Sequence, residues 1–160
     1  MTADAAARPA HSFSRSIRAQ WSDMDQNGHM RTTAYLAAAE DVRMEFFDAA
    51  GFTMAEFTRR GFGPVIQSDD LRYRAELRLL DTAIVDLQLA GLSTDGARFQ
   101  MRNTFTRLDG QPASTVTSTG GWLDLQRRKL TVPSADLLAI LDQIDRTDDF
   151  RVLASLVRHR

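Results

Sequence analysis

Cysteine is absent from the 160-residue sequence. This absence excludes disulfides, thiolate metal sites and a cysteine nucleophile, and it fits a protein that works in a reducing cytoplasm. Long apolar runs are absent too, so the sequence predicts no transmembrane helix. Residues 1–12 are small and polar and lack the apolar centre of a signal peptide. We therefore expect a flexible N-terminal tail, no membrane partner and a cytoplasmic location.

An excess of one charge is missing as well. The formal net charge is -1, and the basic residues are dispersed among acidic ones, so the chain has no general attraction for nucleic acid. With 43% hydrophobic residues, it can build one sizeable core. We predict a single domain over residues 13–160.

The sequence has few histidines and none of the common catalytic motifs. Of the three histidines, only His29 lies away from the termini, so a histidine-rich metal site cannot be assembled and no metal is predicted. The sequence has no G-x-S-x-G, P-loop, H-E-x-x-H or complete G-x-G-x-x-G pattern. These absences disfavour serine hydrolases, P-loop nucleotide hydrolases, zinc proteases and dinucleotide enzymes.

Some segments of the sequence show the helical spacing of apolar residues, and others show the alternation typical of strands. A first strand is predicted from Phe13 to Trp21, followed by a broadly hydrophobic helix from Tyr35 to Phe47. Thr32 or Thr33 is expected to cap this helix and Gly51 to stop it. Residues 54–60 form a short amphipathic piece.

Alternating segments dominate the second half of the chain. The runs "GPVIQSDDLRYRAEL", "AIVDLQLAGL", "ARFQMRNTFTRL" and "PASTVTSTGGWLDL" predict strands, and two Asp-Gly turns join the last three in an antiparallel meander. The run "VPSADLLAILDQI" predicts a helix capped by Ser134, and "DDFRVLASLVRHR" appends a second helical pattern. An apolar helix followed by a meander predicts an α+β domain in which the sheet wraps around the helix.

The connection between the first strand and the helix carries the candidate chemistry, in the run "WSDMDQNGHMRTTAYL". Its D-x-D-x-N-G spacing matches the start of a calcium loop, but Ala34 occupies the twelfth position, where an EF-hand needs a glutamate. The acidic residues, Asn27 and Gly28 are also ordinary turn formers. A structural turn with a hydrogen-bonded His29 remains open at this point.

These motifs resemble the 4-hydroxybenzoyl-CoA thioesterase-like branch of the hotdog-fold superfamily. The likeness is specific over residues 21–47 and at "LRYRAEL", and it extends from about Phe13 to Leu130. It implies an antiparallel five-stranded sheet wrapped around a long central helix, with a C-terminal peripheral helix. It also implies a homodimer or homotetramer whose acyl pocket lies at the subunit interface.

The resemblance implies an active site as well. A carboxylate at the position of Asp25 is the family's nucleophile or general base, and plant acyl-ACP thioesterases, which look like relatives, carry D-x-N-x-H here and a glutamate in Y-R-R-E. Asn27, His29 and Glu76 match that pattern. "HMRTT" departs from the asparagines that often follow the histidine. For Glu76, an exposed ion pair with a neighbouring arginine is the alternative.

The expected activity is hydrolysis of an acyl-CoA, with coenzyme A present as part of the substrate and no separate cofactor. Asp25 is expected to be ionised, and backbone N–H groups at Gly28, Thr32 and Thr33 are expected to stabilise the oxyanion. The alternatives are an acyl-ACP thioesterase, a non-catalytic acyl-CoA-binding or regulatory protein, and a hydratase or dehydratase.

Overall fold

The computed structural model describes residues 13–158, so the predicted tail at residues 1–12 lies outside the described residues. The first strand, β1, covers Ser14–Arg18. The prediction that it extends to Trp21 is wrong, because the residues Trp21–Asp23 form a short 3-10 helix. Trp21 itself is 79% exposed.

The long helix α1 covers Thr32–Ala49, and its buried residues recur at helical spacing. They are Tyr35, Ala39, Val42, Arg43 and Phe47. Gly51 follows the helix with a φ of +91°, as a left-handed C-terminal stop requires. Neither Thr32 nor Thr33 is the cap: Arg31 occupies the N-cap position and makes no side-chain capping bond.

Two shorter helices flank the sheet. Helix α2 covers Met54–Arg60, begins after a Thr53 side chain that accepts the N–H of Glu56, and ends at Gly61. Helix α3 covers Ala135–Leu141 with Ser134 in the N-cap position. Both lie where the amphipathic patterns predict helices.

The remaining strands form one sheet with β1. They are β2 (Phe62–Tyr73), β3 (Thr82–Asp86), β4 (Gln88–Ser93), β5 (Arg98–Arg107), β6 (Pro112–Asp124), β7 (Lys129–Thr131) and β8 (Arg146–Leu153). β5 pairs with β3 and β4 on one side and with β6 on the other, β6 pairs with β2, and all these pairs are antiparallel. The predicted meander is therefore confirmed.

The predicted strand "AIVDLQLAGL" is divided at Leu87 into β3 and β4, which lie end to end along β5. If β3 and β4 are counted as one strand, they form the predicted five strands together with β1, β2, β5 and β6. β7 and β8 are additional strands.

The helical prediction for the last segment is wrong. Residues from Arg146 to Leu153 form β8, which pairs in parallel with β4. Hydrogen bonding to the open edge of β4 outweighs the local helical spacing of Phe150 and Leu153, because strand formation depends on tertiary context.

The core lies between α1 and the inner face of the sheet. Near one end of the helix, the rings of Tyr35 and Phe105 are 5.2 Å apart, and near the other end those of Phe47 and Trp122 are 5.9 Å apart. This is the α+β hotdog architecture, a largely antiparallel sheet wrapped around a long helix. Among residues 13–158, no helix is long and apolar enough to cross a membrane.

Candidate active site

The candidate site begins with a tight turn between β1 and α1. The N–H of Gly28 donates to the carbonyl of Asp25 at 3.1 Å, and the N–H of Asp25 donates to the carbonyl of His29 at 2.8 Å. Gly28 has a φ of +77°, a conformation that glycine adopts without steric cost. The turn folds the Asp25 side chain back over the backbone that follows it.

The carboxylate of Asp25 is held by two backbone donors. Its Oδ1 accepts the N–H of Asn27 at 2.8 Å and the N–H of His29 at 3.2 Å. The His29 backbone bond is the largest influence and lowers the pKa of Asp25 below its ordinary value, and the Asn27 bond acts in the same direction. Hydrogen bonds to a carboxylate favour its charged form, so Asp25 is ionised at neutral pH.

His29 faces a second carboxylate. Its Nε2 lies 3.0 Å from Oε2 of Glu76. Backbone pairing fixes this approach. His29 forms an isolated antiparallel β-bridge with Arg78, and the N–H of Met30 donates to the carbonyl of Leu77 at 2.7 Å. The same oxygen of Glu76 accepts a 3.3 Å bond from Arg78, so Glu76 has both the partner expected for a site residue and an arginine partner.

The N-terminus of α1 borders these groups. The helix begins at Thr32, so Thr32 and Thr33 of the predicted oxyanion donors lie in its first turn. Gly28 lies before the helix, and its N–H donates to Asp25. Among the described residues, the N–H groups of Thr32 and Thr33 donate to no acceptor, as is usual in the first turn of a helix. Such donors carry the positive end of the helix dipole.

These side chains meet in one cavity of about 350 Å³. Four of the residues predicted for the site line it: Asp25, His29, Thr32 and Glu76. Gly28, Asn27 and Thr33 do not, and Asn27 supports the site through its backbone N–H alone. The remaining lining residues are Met30, Tyr35, Tyr73, Arg74 and Ala75.

Two tyrosines that sequence analysis did not place in the site line the cavity. The rings of Tyr35 and Tyr73 are 5.4 Å apart in an edge-on arrangement. Burial raises the pKa of Tyr35 above its ordinary value, so its hydroxyl stays neutral. Tyr35 follows Thr32 by one helical turn, and residues three apart share a helix face; this spacing could have placed it in the site.

Sequence analysis also missed a buried cation under the middle of α1. Arg43 is 5% exposed, and it donates to Oδ1 of Asn103 at 2.7 Å and to Oγ of Ser118 at 2.6 Å. Ser118 in turn donates to Asp69 on β2. Burial lowers the pKa of Arg43 to about 10, which leaves it charged. This network fastens the helix to the sheet away from the cavity.

The two aspartates of the calcium-like spacing serve local turns. Oδ2 of Asp23 accepts the N–H of Gln20 at 2.8 Å, whereas the side chain of Asp25 accepts the N–H groups of Asn27 and His29. Within residues 13–158, no group of three or more histidine, aspartate or glutamate side chains is placed to hold a metal ion.

Solved structures share this fold. A hypothetical protein from Staphylococcus aureus, solved in complex with CoA, matches with a TM-score of 0.76 and 22% identity over 85% of this chain and 87% of that one. A 1,4-dihydroxy-2-naphthoyl-CoA thioesterase from Synechocystis gives 0.74 and 13% identity over 85% and 99%. A Lactobacillus plantarum protein, provisionally described as an oleoyl thioesterase, gives 0.78 and 16% identity over 95% of this chain. The present chain spans 56% of that protein.

Sequence comparison gives the family. No curated protein matches the chain. The profile of the thioesterase-like superfamily matches residues 19–141, which include the Asp25 turn, α1 and most of the sheet. The chain therefore belongs to the thioesterase-like superfamily.

Proposed function

We propose that this protein hydrolyses an acyl-CoA thioester to the free acid and coenzyme A, and that Asp25 is its catalytic carboxylate. One observation carries the proposal: Asp25, His29, Glu76 and the first residue of α1 line the same cavity. The CoA held by the Staphylococcus aureus protein and the thioesterase activity of the Synechocystis protein support this substrate class.

Asp25 has two routes to the thioester carbonyl. Direct attack by a carboxylate oxygen forms a mixed anhydride and releases the CoA thiolate, after which water hydrolyses the anhydride. Alternatively, the carboxylate takes a proton from a water molecule that attacks the carbonyl. Either route needs an ionised aspartate, which agrees with the lowered pKa of Asp25.

The negative charge that develops on the carbonyl oxygen needs donors. The N–H of Thr32 is the best placed, because Thr32 lines the cavity and its N–H has no acceptor among the described residues. A donor already aimed at the oxyanion stabilises the transition state without further reorganisation. His29, paired with Glu76, orients the substrate or the attacking water.

Association of two or four copies is part of this proposal. The outer edge of β2 pairs with no strand among residues 13–158, and Tyr73, at the end of that strand, is 49% exposed although it lines the cavity. An open strand edge favours pairing with another chain. Light scattering on the purified protein is expected to give a dimer or tetramer mass; a monomer would contradict this part.

Thiol release from a panel of short, long and aromatic acyl-CoAs tests the activity. Turnover with at least one member supports the proposal and identifies the acyl class. Saturable binding of acyl-CoAs without thiol release would contradict it and would favour the non-catalytic binding protein.

A further inference from the structure

A second and larger cavity lies on the face of the sheet that is turned away from α1. We name it the outer groove; its volume is about 590 Å³, and its charged lining residues are Asp70, Arg72, Arg74, Arg102, Asp149 and Arg151. The alternation along β5 defines its face, because Met101 and Asn103 are buried in the core whereas Arg102 between them lines the groove. The groove is therefore separate from the hydrophobic core.

Two of the four arginines are neutralised within the groove. Arg102 donates to both carboxylate oxygens of Asp149, at 2.9 and 3.2 Å, and Arg72 donates to Asp70 at 2.9 Å. In each pair the arginine lowers the pKa of its aspartate. Both pairs are therefore fully charged at neutral pH and contribute no net charge to the groove.

The other two guanidinium groups are not neutralised. Arg74 and Arg151 form no ion pair with any described residue. Arg74 follows the end of β2, and Arg151 lies on β8 opposite Gly91 of β4. The groove thus has two unpaired positive charges supplied by elements far apart in the sequence. Arginine prefers anions with several acceptor oxygens, above all carboxylate and phosphate.

Arg74 connects this groove to the active-site cavity, because it lines both. Tyr73 beside it lies only in the cavity with Asp25 and His29, and Arg72 lies only in the groove. A single extended substrate that passes the end of β2 would meet the catalytic carboxylate at one end and the unpaired arginines at the other.

We propose that the outer groove binds the phosphate groups at the nucleotide end of the CoA substrate, with Arg74 and Arg151 as their partners. This inference rests on the proposed thioesterase activity and deepens it. Coenzyme A carries a diphosphate and a ribose phosphate remote from its thioester, so the reacting end and the anionic end need separate sites. The groove supplies the second one.

Arg151 gives the clearest test, because it lines the groove and not the catalytic cavity. Hydrolysis is measured for one acyl group carried by CoA and by N-acetylcysteamine, a thioester without the nucleotide. In the Arg151→Gln variant, KM for the acyl-CoA is expected to rise about tenfold, since one charged hydrogen bond is lost, while the N-acetylcysteamine thioester keeps the parental KM. Arg127→Gln removes an equal charge from the exposed turn between β6 and β7 and is expected to match the parent.

The opposing outcomes separate this inference from the activity itself. If the parent hydrolyses acyl-CoA and Arg151→Gln keeps the parental KM, the groove assignment is wrong and the thioesterase proposal stands. An equal rise in KM for both thioesters would also overturn the groove. A change in the mass of the Arg151→Gln variant, measured by light scattering, would overturn the groove assignment too. This face of the sheet would then be an interface between copies.

A binding measurement decides the groove even if no thioester is hydrolysed. Titration with adenosine 3′,5′-bisphosphate, a phosphate-bearing fragment of CoA, is expected to show saturable binding that weakens about tenfold in Arg151→Gln. No binding of this probe to the parent would overturn the inference. Inorganic phosphate that binds as tightly as the nucleotide would overturn it too, because the groove would then select free phosphate.

Discussion

Nε2 of His29 lies 3.0 Å from Oε2 of Glu76, although the two residues are 47 positions apart in the sequence. The contact joins the turn before α1 to the irregular segment after β2. Both side chains are about one-third to one-half exposed, so the pair contributes little to stability. Both residues line the cavity with Asp25, which fits the orienting role proposed for His29.

Glu76→Gln keeps the shape of the side chain and removes its charge. We expect kcat to fall about tenfold or more, because an imidazole without its carboxylate partner is poorly oriented. Arg78→Gln, which removes only the other partner of Glu76, serves as the matched control and should retain the parental kcat. In a double-mutant cycle with His29→Gln, additive losses would show that the two side chains do not act as a unit.

Thr32→Pro tests the proposed oxyanion donor without removing the helix. Proline is accepted at the first position of a helix, where its missing N–H has no partner, and Arg31 already has the extended conformation that precedes proline. We expect kcat to fall about 100-fold or more, with the helical circular dichroism retained. Thr32→Ala also loses the hydroxyl but keeps the N–H, so equal rates for the two variants would exclude this donor.

The titration of Asp25 should follow its backbone contacts. The folded state lowers the pKa of this carboxyl, so its charged form is favoured by folding. Asp25 therefore adds stability at pH values above the ordinary aspartate pKa of about 4, and this contribution is lost as the pH falls through the lowered folded value. Carbon-13 chemical shifts of the Asp25 carboxyl are expected to titrate below the ordinary value; a midpoint above it would contradict the geometry of the turn.

The buried network beneath α1 should matter for stability. Arg43→Ala removes the partner of Asn103 and Ser118 and leaves a cavity. We therefore expect its free energy of unfolding, measured in denaturant, to be about 3–5 kcal/mol lower than that of the parent. Arg43→Met fills more of that space with an apolar chain and should lose less. Equal stability of Arg43→Ala and the parent would show that the network contributes nothing.

Sequence analysis predicted the meander, α1 and α2 because their periodicity reflects one buried face. It did not predict β8, since the open edge of β4 that binds it is a tertiary feature. The Asp25 turn was found from its motif, yet the motif did not reveal that Asn27 acts through its backbone, that Thr32 begins the helix without capping it, or that Tyr73 and Arg74 join the cavity. These properties depend on where β2 ends relative to α1.

The comparison of Asp25→Asn with the parent tests the central claim most directly. This substitution keeps the size of the side chain and removes the charge that, in the proposed mechanism, attacks the thioester or deprotonates water. Asp109→Asn is the matched control, because Asp109 is also an exposed turn aspartate and accepts the N–H of Gln111 two residues later at 3.0 Å, as Asp25 accepts that of Asn27. With the best acyl-CoA substrate, we predict that kcat falls by about 100-fold or more in Asp25→Asn and stays at the parental value in Asp109→Asn; a folded Asp25→Asn variant with parental kcat would contradict the account.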